Sequence, residues 1–146
     1  MASLLILNGP NLNLLGSRQP DVYGAVTLSD IEIMCAKHAK TLGFETSFKQ
    51  SNHEGGLIDE IHAAKGVHGG IAINAGAYTH TSIALMDAIA SVEIPTVEVH
   101  LSNVHAREAF RHTSYLAPVT IGLICGFGAQ SYALAIDALA RQLGPA

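Results

Sequence analysis

The sequence predicts an α/β sandwich, a parallel β-sheet covered by helices on both faces. Three features of its 146 residues predict it. Short apolar runs alternate with stretches of helical periodicity, several of those runs are apolar on both faces, and a helix-like stretch separates each run from the next. Residues 4–7 form the first run, which stops at Asn8-Gly9-Pro10. Residues 9–25 then carry Gly9, Pro10, Gly16, Pro20 and Gly24 with no period, a loop long enough for a lid or binding loop. Thr27-Leu-Ser-Asp30 opens a helix as a capping box with Asp in place of Glu. Leu28, Ile31, Met34, Cys35, His38 and Leu42 follow at helical spacing, and Gly43 closes it. Residues 44–49 read as a second strand, 57–64 as a helix with Leu57, Ile58 and Ile61 on one face, and 70–74 as a third strand. Residues 82–92 read as a helix, 96–100 as a fourth strand, and 119–125 as a fifth, closed by Gly126 and Gly128. Residues 130–143 form the last helix, with Leu134, Ala138 and Leu139 inward.

This order of elements asks for a flavodoxin-like, doubly wound sandwich with a five-stranded parallel sheet. In such folds ligands bind beyond the carboxyl ends of the strands. Here those ends are residues 8–23, 50–54, 74–82 and 100–102. Asn, His, Arg and Tyr concentrate there, while the strands are almost bare of polar groups. No linker, repeat or low-complexity stretch divides the chain, so one domain over 1–146 is expected.

Composition removes several classes of function. With 49% hydrophobic and 14% charged residues, the chain is not a disordered one and can bury surface between subunits as well as in its core. A net charge of −4, with eight Lys and Arg and no basic block, argues against nucleic acid and against a polybasic membrane patch. The start lacks a basic segment, and no apolar run approaches the roughly 20 residues of a spanning helix. The expectation is a cytoplasmic protein. Cys35 and Cys125 sit in apolar runs and read as small buried hydrophobes. There is no P-loop and no Gly-x-Ser-x-Gly elbow. Ser131 stands where a dinucleotide fingerprint after Gly126-Phe-Gly128 needs its third glycine. Leu57 stands where a zincin helix beginning at His53-Glu54 needs its second histidine. The remaining histidines lack a tight ligand spacing, so no metal is expected.

Five blocks carry the chemistry. They are Asn8-Gly9-Pro10-Asn11-Leu-Asn13-Leu-Leu-Gly16-Ser-Arg18-Gln-Pro20-Asp-Val-Tyr23-Gly24; Gln50-Ser-Asn52-His-Glu54-Gly55; Asn74-Ala-Gly76-Ala-Tyr78-Thr-His80-Thr-Ser82; Glu98-Val-His100-Leu-Ser102-Asn103; and Arg107-Glu108-Ala-Phe110-Arg111-His112-Thr-Ser114. With the Gly126-Phe-Gly128 turn they run nearly end to end, and together they resemble the type II 3-dehydroquinate dehydratases. Gln19 departs from the Glu that many members carry before the proline. The resemblance implies dehydration of 3-dehydroquinate to 3-dehydroshikimate without metal, cofactor or Schiff base, in the shikimate or quinate pathway. It also implies a homododecamer built as a tetramer of trimers. The four lysines, Lys37, Lys40, Lys49 and Lys65, lie away from the strand-end residues, which offers an imine mechanism no evident nucleophile.

Loss of a proton α to a ketone with departure of a β-hydroxyl requires a base, a stabiliser of the enolate and an acid. Tyr23 is the candidate base. A free tyrosine, with a pKa near 10, is ionised only about one part in a thousand at pH 7. A guanidinium close by lowers that pKa by roughly one to three units, and Arg18 lies five residues upstream on the same loop. The resemblance assigns these two residues the same roles and makes residues near 16–24 a lid. It further implies that Asn11 stabilises the enolate through a water, that His100 is the general acid, and that Glu98 orients and charges His100. Asn74 and the backbone amides of Leu101 and Ser102 would hold the substrate carboxylate, with Ser102's hydroxyl able to add to them. His80 and Arg111 would hold ring hydroxyls, and Asp87 would reach a neighbouring subunit's site. Taken alone, Tyr23 reads as a half-buried loop tyrosine, Asn11 as a turn former, and Glu98 with His100 as a core ion pair. Arg111 reads alone as a surface arginine and Asp87 as an exposed helix aspartate, while Arg107 reads as structural, and Asn8 and Asn13 as turn formers. The rival readings are a binding protein for a small acid, an assembly protein with interfacial histidines, and a different enolate-forming enzyme on the same scaffold.

Overall fold

Side-chain alternation along β1 (Ser3–Asn8) sets the layering. Leu4 and Ile6 face one way and Leu5 and Leu7 the other, and none of the four is more than 1% exposed. A strand buried on both faces needs a helical layer on each, and the computed structural model, which describes residues 2–17 and 25–145, supplies both. The sheet adds β2 (Glu45–Gln50), β3 (Gly70–Asn74), β4 (Thr96–His100) and β5 (Gly122–Cys125), all parallel, in the order β2-β1-β3-β4-β5. This is the flavodoxin-like order, with its switch point between β1 and β3. Asn8 pairs in register with Gln50 on β2 and Asn74 on β3, so three strands reach their last, polar residue at one level.

Helices α1 (Leu28–Thr41) and α4 (Gln130–Leu143) cover one face, burying Ile31, Cys35, Ala39, Tyr132, Ala135, Ile136 and Leu139 against Leu4, Ile6, Ala72, Val97 and Val99. Helices α2 (Glu54–Ala64) and α3 (Ile83–Val92) cover the other, burying Leu57, Ile61, Leu85 and Ile89 against Leu5, Leu7, Ile71 and Ile73. The capping box forms at α1: Thr27 Oγ1 accepts from the Asp30 N–H, and the Asp30 carboxylate accepts from the Thr27 N–H. Cys35 is fully buried, and burial pushes its thiol up to about 12, which makes it an inert packing atom. Cys125 is only half-buried at the end of β5.

Three elements differ from expectation. Helix α2 starts at Glu54, three residues early, in spite of Gly55 and Gly56. A Cβ on Gly56 would lie 2.7 Å from Ser51 Oγ, which itself accepts from the His53 N–H, so the tight entry into the helix excludes a side chain there. Strand β5 begins at Gly122 and not at 119. Pro118 lies in a 3-10 turn (Ala117–Val119), has no N–H for a ladder, and pairing starts only where the Ile121 N–H reaches the Thr96 carbonyl at 2.8 Å. The β4–β5 connection carries no α-helix. It runs through three 3-10 turns, the first two being Val104–Ala106 and Ala109–Arg111. Asn103 Oδ1 and Ser114 Oγ accept from backbone N–H groups within it and offer the chain a local alternative to helix.

Gly9 marks the tightest strand-end contact. Its N–H donates to the Asn74 carbonyl at 2.8 Å, and a Cβ would sit 2.5 Å from the Ala75 carbonyl oxygen. Gly9→Ala is expected to cost about 2 kcal/mol by forcing β1 and β3 apart at the cleft. Urea unfolding should show a lowered midpoint with an unchanged m value.

Candidate active site

A cleft opens at the carboxyl ends of β1, β3 and β4, beside the switch point. Asn11 enters it from the β1 end, Asn74 from β3, and His100, Leu101 and Ser102 from β4. His80 comes from the 3-10 turn Gly76–His80, and Arg107 and Arg111 from the β4–β5 connection. Seven of the residues expected from the sequence therefore converge: Asn11, Asn74, His80, His100, Leu101, Ser102 and Arg111. Glu98 lies directly behind His100. Asp87 is exposed on α3 and does not line this cleft. Arg18 and Tyr23, with most of the expected lid, lie outside the described residues.

Glu98 has no exposed surface. One carboxylate oxygen is 2.5 Å from His100 Nε2 and accepts from Thr79 Oγ1 at 3.0 Å; the other accepts from Ser114 Oγ at 2.6 Å. Burial is the largest influence on this carboxyl and by itself raises its pKa. The hydrogen bonds from His100, Ser114 and Thr79, with the His100 charge, outweigh it and leave the pKa below the ordinary range. The group is therefore a buried carboxylate, and it fixes the plane of the His100 ring. No partner engages His100 Nδ1 among the described residues.

His80 lies parallel to His100, ring centres 6.4 Å apart and planes 13° apart. Its Nδ1 donates to the Thr113 carbonyl at 2.8 Å, an acceptor only, so Nε2 is the nitrogen left for a ligand. Asn11 adopts a left-handed backbone, φ 70°, which asparagine tolerates, and its N–H donates to Asn52 Oδ1 at 3.0 Å. Gln50 Nε2 donates to that same oxygen and to the Gly9 carbonyl, each at 3.1 Å, and so ties β2 to the loop carrying Asn11. Arg111 Nε donates to both Glu108 oxygens, at 3.3 and 3.2 Å. Arg107, expected to be structural, lines the cleft and donates from Nη1 to Ser102 Oγ at 3.4 Å.

Sequence reasoning missed what stands behind these groups. Asn8 is no turn residue: it is fully buried, and its Oδ1 accepts from the Tyr132 hydroxyl at 2.7 Å. Burial holds the Tyr132 phenol well above the usual tyrosine range, so it remains a hydroxyl. Two strand-final asparagines among apolar strands were the available signal for a polar partner across the sheet. Nothing in the order of residues marked Thr79, Ser114 or Tyr132 as that support. Among the described residues no group of three His, Cys, Asp or Glu side chains could hold a metal. No described helix is long and apolar enough to cross a membrane.

Taken together, an imidazole locked to a buried carboxylate, guanidinium groups and oriented amides at a switch-point cleft define an open α/β enzyme doing acid–base chemistry on a small oxygen-rich anion. The dehydroquinase class II family profile matches residues 2–140, and the chain belongs to that family. It is 66% identical over 145 residues to a 3-dehydroquinate dehydratase of Ruegeria pomeroyi, covering 99% of this chain and 97% of that one. It is 67% identical over 140 residues to one of Dinoroseobacter shibae, covering 96% and 93%. The crystal structure of a type II dehydroquinase from Butyrivibrio crossotus superposes with a TM-score of 0.92 at 46% identity, covering 94% of this chain and 97% of that one.

Because the folded-state pKa of Glu98 is depressed, its stabilising contribution is complete above the ordinary value of 4.5 and is lost as pH falls through the lower folded value. Between those pH values wild-type stability should fall more steeply than that of Glu98→Gln, measured by urea unfolding at successive pH values. Parallel curves would show that folding leaves the Glu98 pKa unshifted, and a wild-type stability that rises relative to the variant as pH falls would show a neutral Glu98 in the native state.

Proposed function

We propose that the protein is a 3-dehydroquinate dehydratase, a hydro-lyase that converts 3-dehydroquinate to 3-dehydroshikimate by anti elimination in the shikimate or quinate pathway. The observation that carries this reading is the His100 imidazole, backed by the buried Glu98 carboxylate, in a cleft that Asn11, Asn74, His80, Ser102, Arg107 and Arg111 also line. The Tyr23 phenolate takes the proton α to the ketone, its ionisation favoured by Arg18 on the same loop. Electrons move into the carbonyl to form an enolate, which Asn11 stabilises through a water. The enolate collapses, the carbon–oxygen bond β to the carbonyl breaks, and His100 gives its proton to the departing hydroxyl. The products are water and a conjugated enone. Glu98 keeps the His100 ring oriented and supports its charged form. Asn74 and the backbone amides of Leu101 and Ser102 receive the carboxylate, and His80 and Arg111 receive the ring hydroxyls.

On this reading the chain is one catalytic domain over 1–146, with residues near 16–24 closing over the substrate. It works in the cytoplasm as a homododecamer, a tetramer of trimers, with Asp87 serving a neighbouring subunit's site. Ile121 (48% exposed), Leu123 (37%) and Phe127 (65%) support the assembly, since they leave apolar surface along the β5 edge for another chain to cover. The exposure of Asp87 on α3 supports its action between subunits.

The test is to incubate the purified protein with 3-dehydroquinate and follow the enone absorbance, with a chelator in one arm and borohydride in another. The expected rise survives both treatments; no rise from folded protein sinks the reading. Tyr23→Phe should abolish nearly all turnover, and His100→Ala should lower kcat by roughly 10²–10⁴-fold. A mere binder of the same acid would lose little through Tyr23→Phe.

A further inference from the structure

Behind the cleft a chain of hydrogen bonds crosses from β2 to the turn after β3, and its direction can be read from both ends. The Lys49 carbonyl can only accept, so Asn8 turns its NH2 group to it at 3.0 Å and its oxygen toward α4. There the Tyr132 hydroxyl donates to Asn8 Oδ1 at 2.7 Å and accepts from Asn74 Nδ2 at 2.9 Å. At the far end the Gly76 N–H can only donate, so Asn74 turns its oxygen to it at 3.1 Å. Both ends demand the same orientation of every group between them. The interior is closed to water, with Asn8 0%, Tyr132 1% and Asn74 3% exposed, so solvent cannot substitute for a missing partner.

Asparagine presents a donor on one side and an acceptor on the other, and a carboxylate is attracted by the first and repelled by the second. Asn74 has one N–H committed to Tyr132 and its oxygen committed to Gly76. Its second N–H has no partner among the described residues, and Asn74 lines the cleft. We infer that Tyr132 and Asn8 are positioning residues that set the orientation of the Asn74 amide, so that it offers the substrate carboxylate an N–H. This rests on the reading above, in which Asn74 belongs to the carboxylate site. Neither residue touches substrate. Turning the amide over would set its NH2 group against the Gly76 N–H and its oxygen against the Tyr132 oxygen, whose one proton is already given to Asn8.

The experiment compares Tyr132→Phe, Asn74→Ala and the double variant in steady-state turnover of 3-dehydroquinate, with thermal melting in parallel. Tyr132→Phe keeps the ring that packs against the sheet and removes only the relay oxygen. The expected result is a KM raised about tenfold with kcat held within about threefold, because a lost bond to a charged group weakens binding ahead of chemistry. The double variant should be no worse in KM than Asn74→Ala alone, since both changes act through one amide. If Tyr132→Phe melts lower but keeps the wild-type KM while Asn74→Ala raises it, the relay is only structural and the inference fails alone. If Asn74→Ala leaves KM unchanged, the carboxylate-site reading fails and takes the inference with it. Should Tyr132→Phe not fold, Asn8→Ala replaces it. That change frees the Tyr132 proton to turn toward Asn74, so the same KM rise is expected, and an unchanged KM overturns the relay.

Discussion

A carboxylate shut away from water keeps its charge only when hydrogen-bond donors take the solvent's place. Glu98 on β4 recruits donors from three separate parts of the chain: His100 on its own strand, Thr79 on the turn after β3, and Ser114 on the connection to β5. The last two anchor the least regular part of the molecule. Ser114 Oγ also accepts from the Leu116 and Ala117 N–H groups, the Tyr115 N–H donates to the Thr79 carbonyl, and His80 donates to the Thr113 carbonyl. A crossover with no α-helix is thereby held on the sheet by the same charge that orients the His100 ring. Arg107, Arg111 and the backbone beyond His100 take their places in the cleft because that crossover is pinned.

The fold was legible because its causes are local and repeated. Two-faced apolar strands, a capping box at Thr27 and glycines at helix ends each act within a few residues, and together they imply a layered parallel sheet. The exceptions have short-range causes that compete with those patterns. The missing N–H of Pro118 delayed the start of β5. The hydroxyl and amide acceptors of Asn103 and Ser114 replaced a helix with 3-10 turns. Of the site, the residues at strand ends were legible, since the topology brings those ends together whatever fills them. Their supports were not. Tyr132 looks like one more core aromatic of α4, and only the three-dimensional register of Asn8 beside Asn74 gives its hydroxyl two partners.

The chain carries a net negative charge yet is built to receive an anion. The contradiction is resolved locally. Arg107 and Arg111 line the cleft, the charge of Glu98 is buried behind His100 among its own donors, and the asparagine amides contribute oriented dipoles that cost no net charge. Such dipoles attract only when correctly turned, which is why so much of the buried polar structure fixes orientation and so little of it adds charge.

The sheet also acts as a partition. Asn74 is supported from the α1/α4 layer through Tyr132, whereas Glu98 points into the α2/α3 layer and draws on Thr79 and Ser114. The Asn74 amide and the Glu98–His100 pair are therefore held by different sets of neighbours on opposite sides of one strand layer. Amino-acid changes accumulating in one helical layer can retune one property while the other is left standing, which gives descendants of this chain two nearly separate routes by which to diverge.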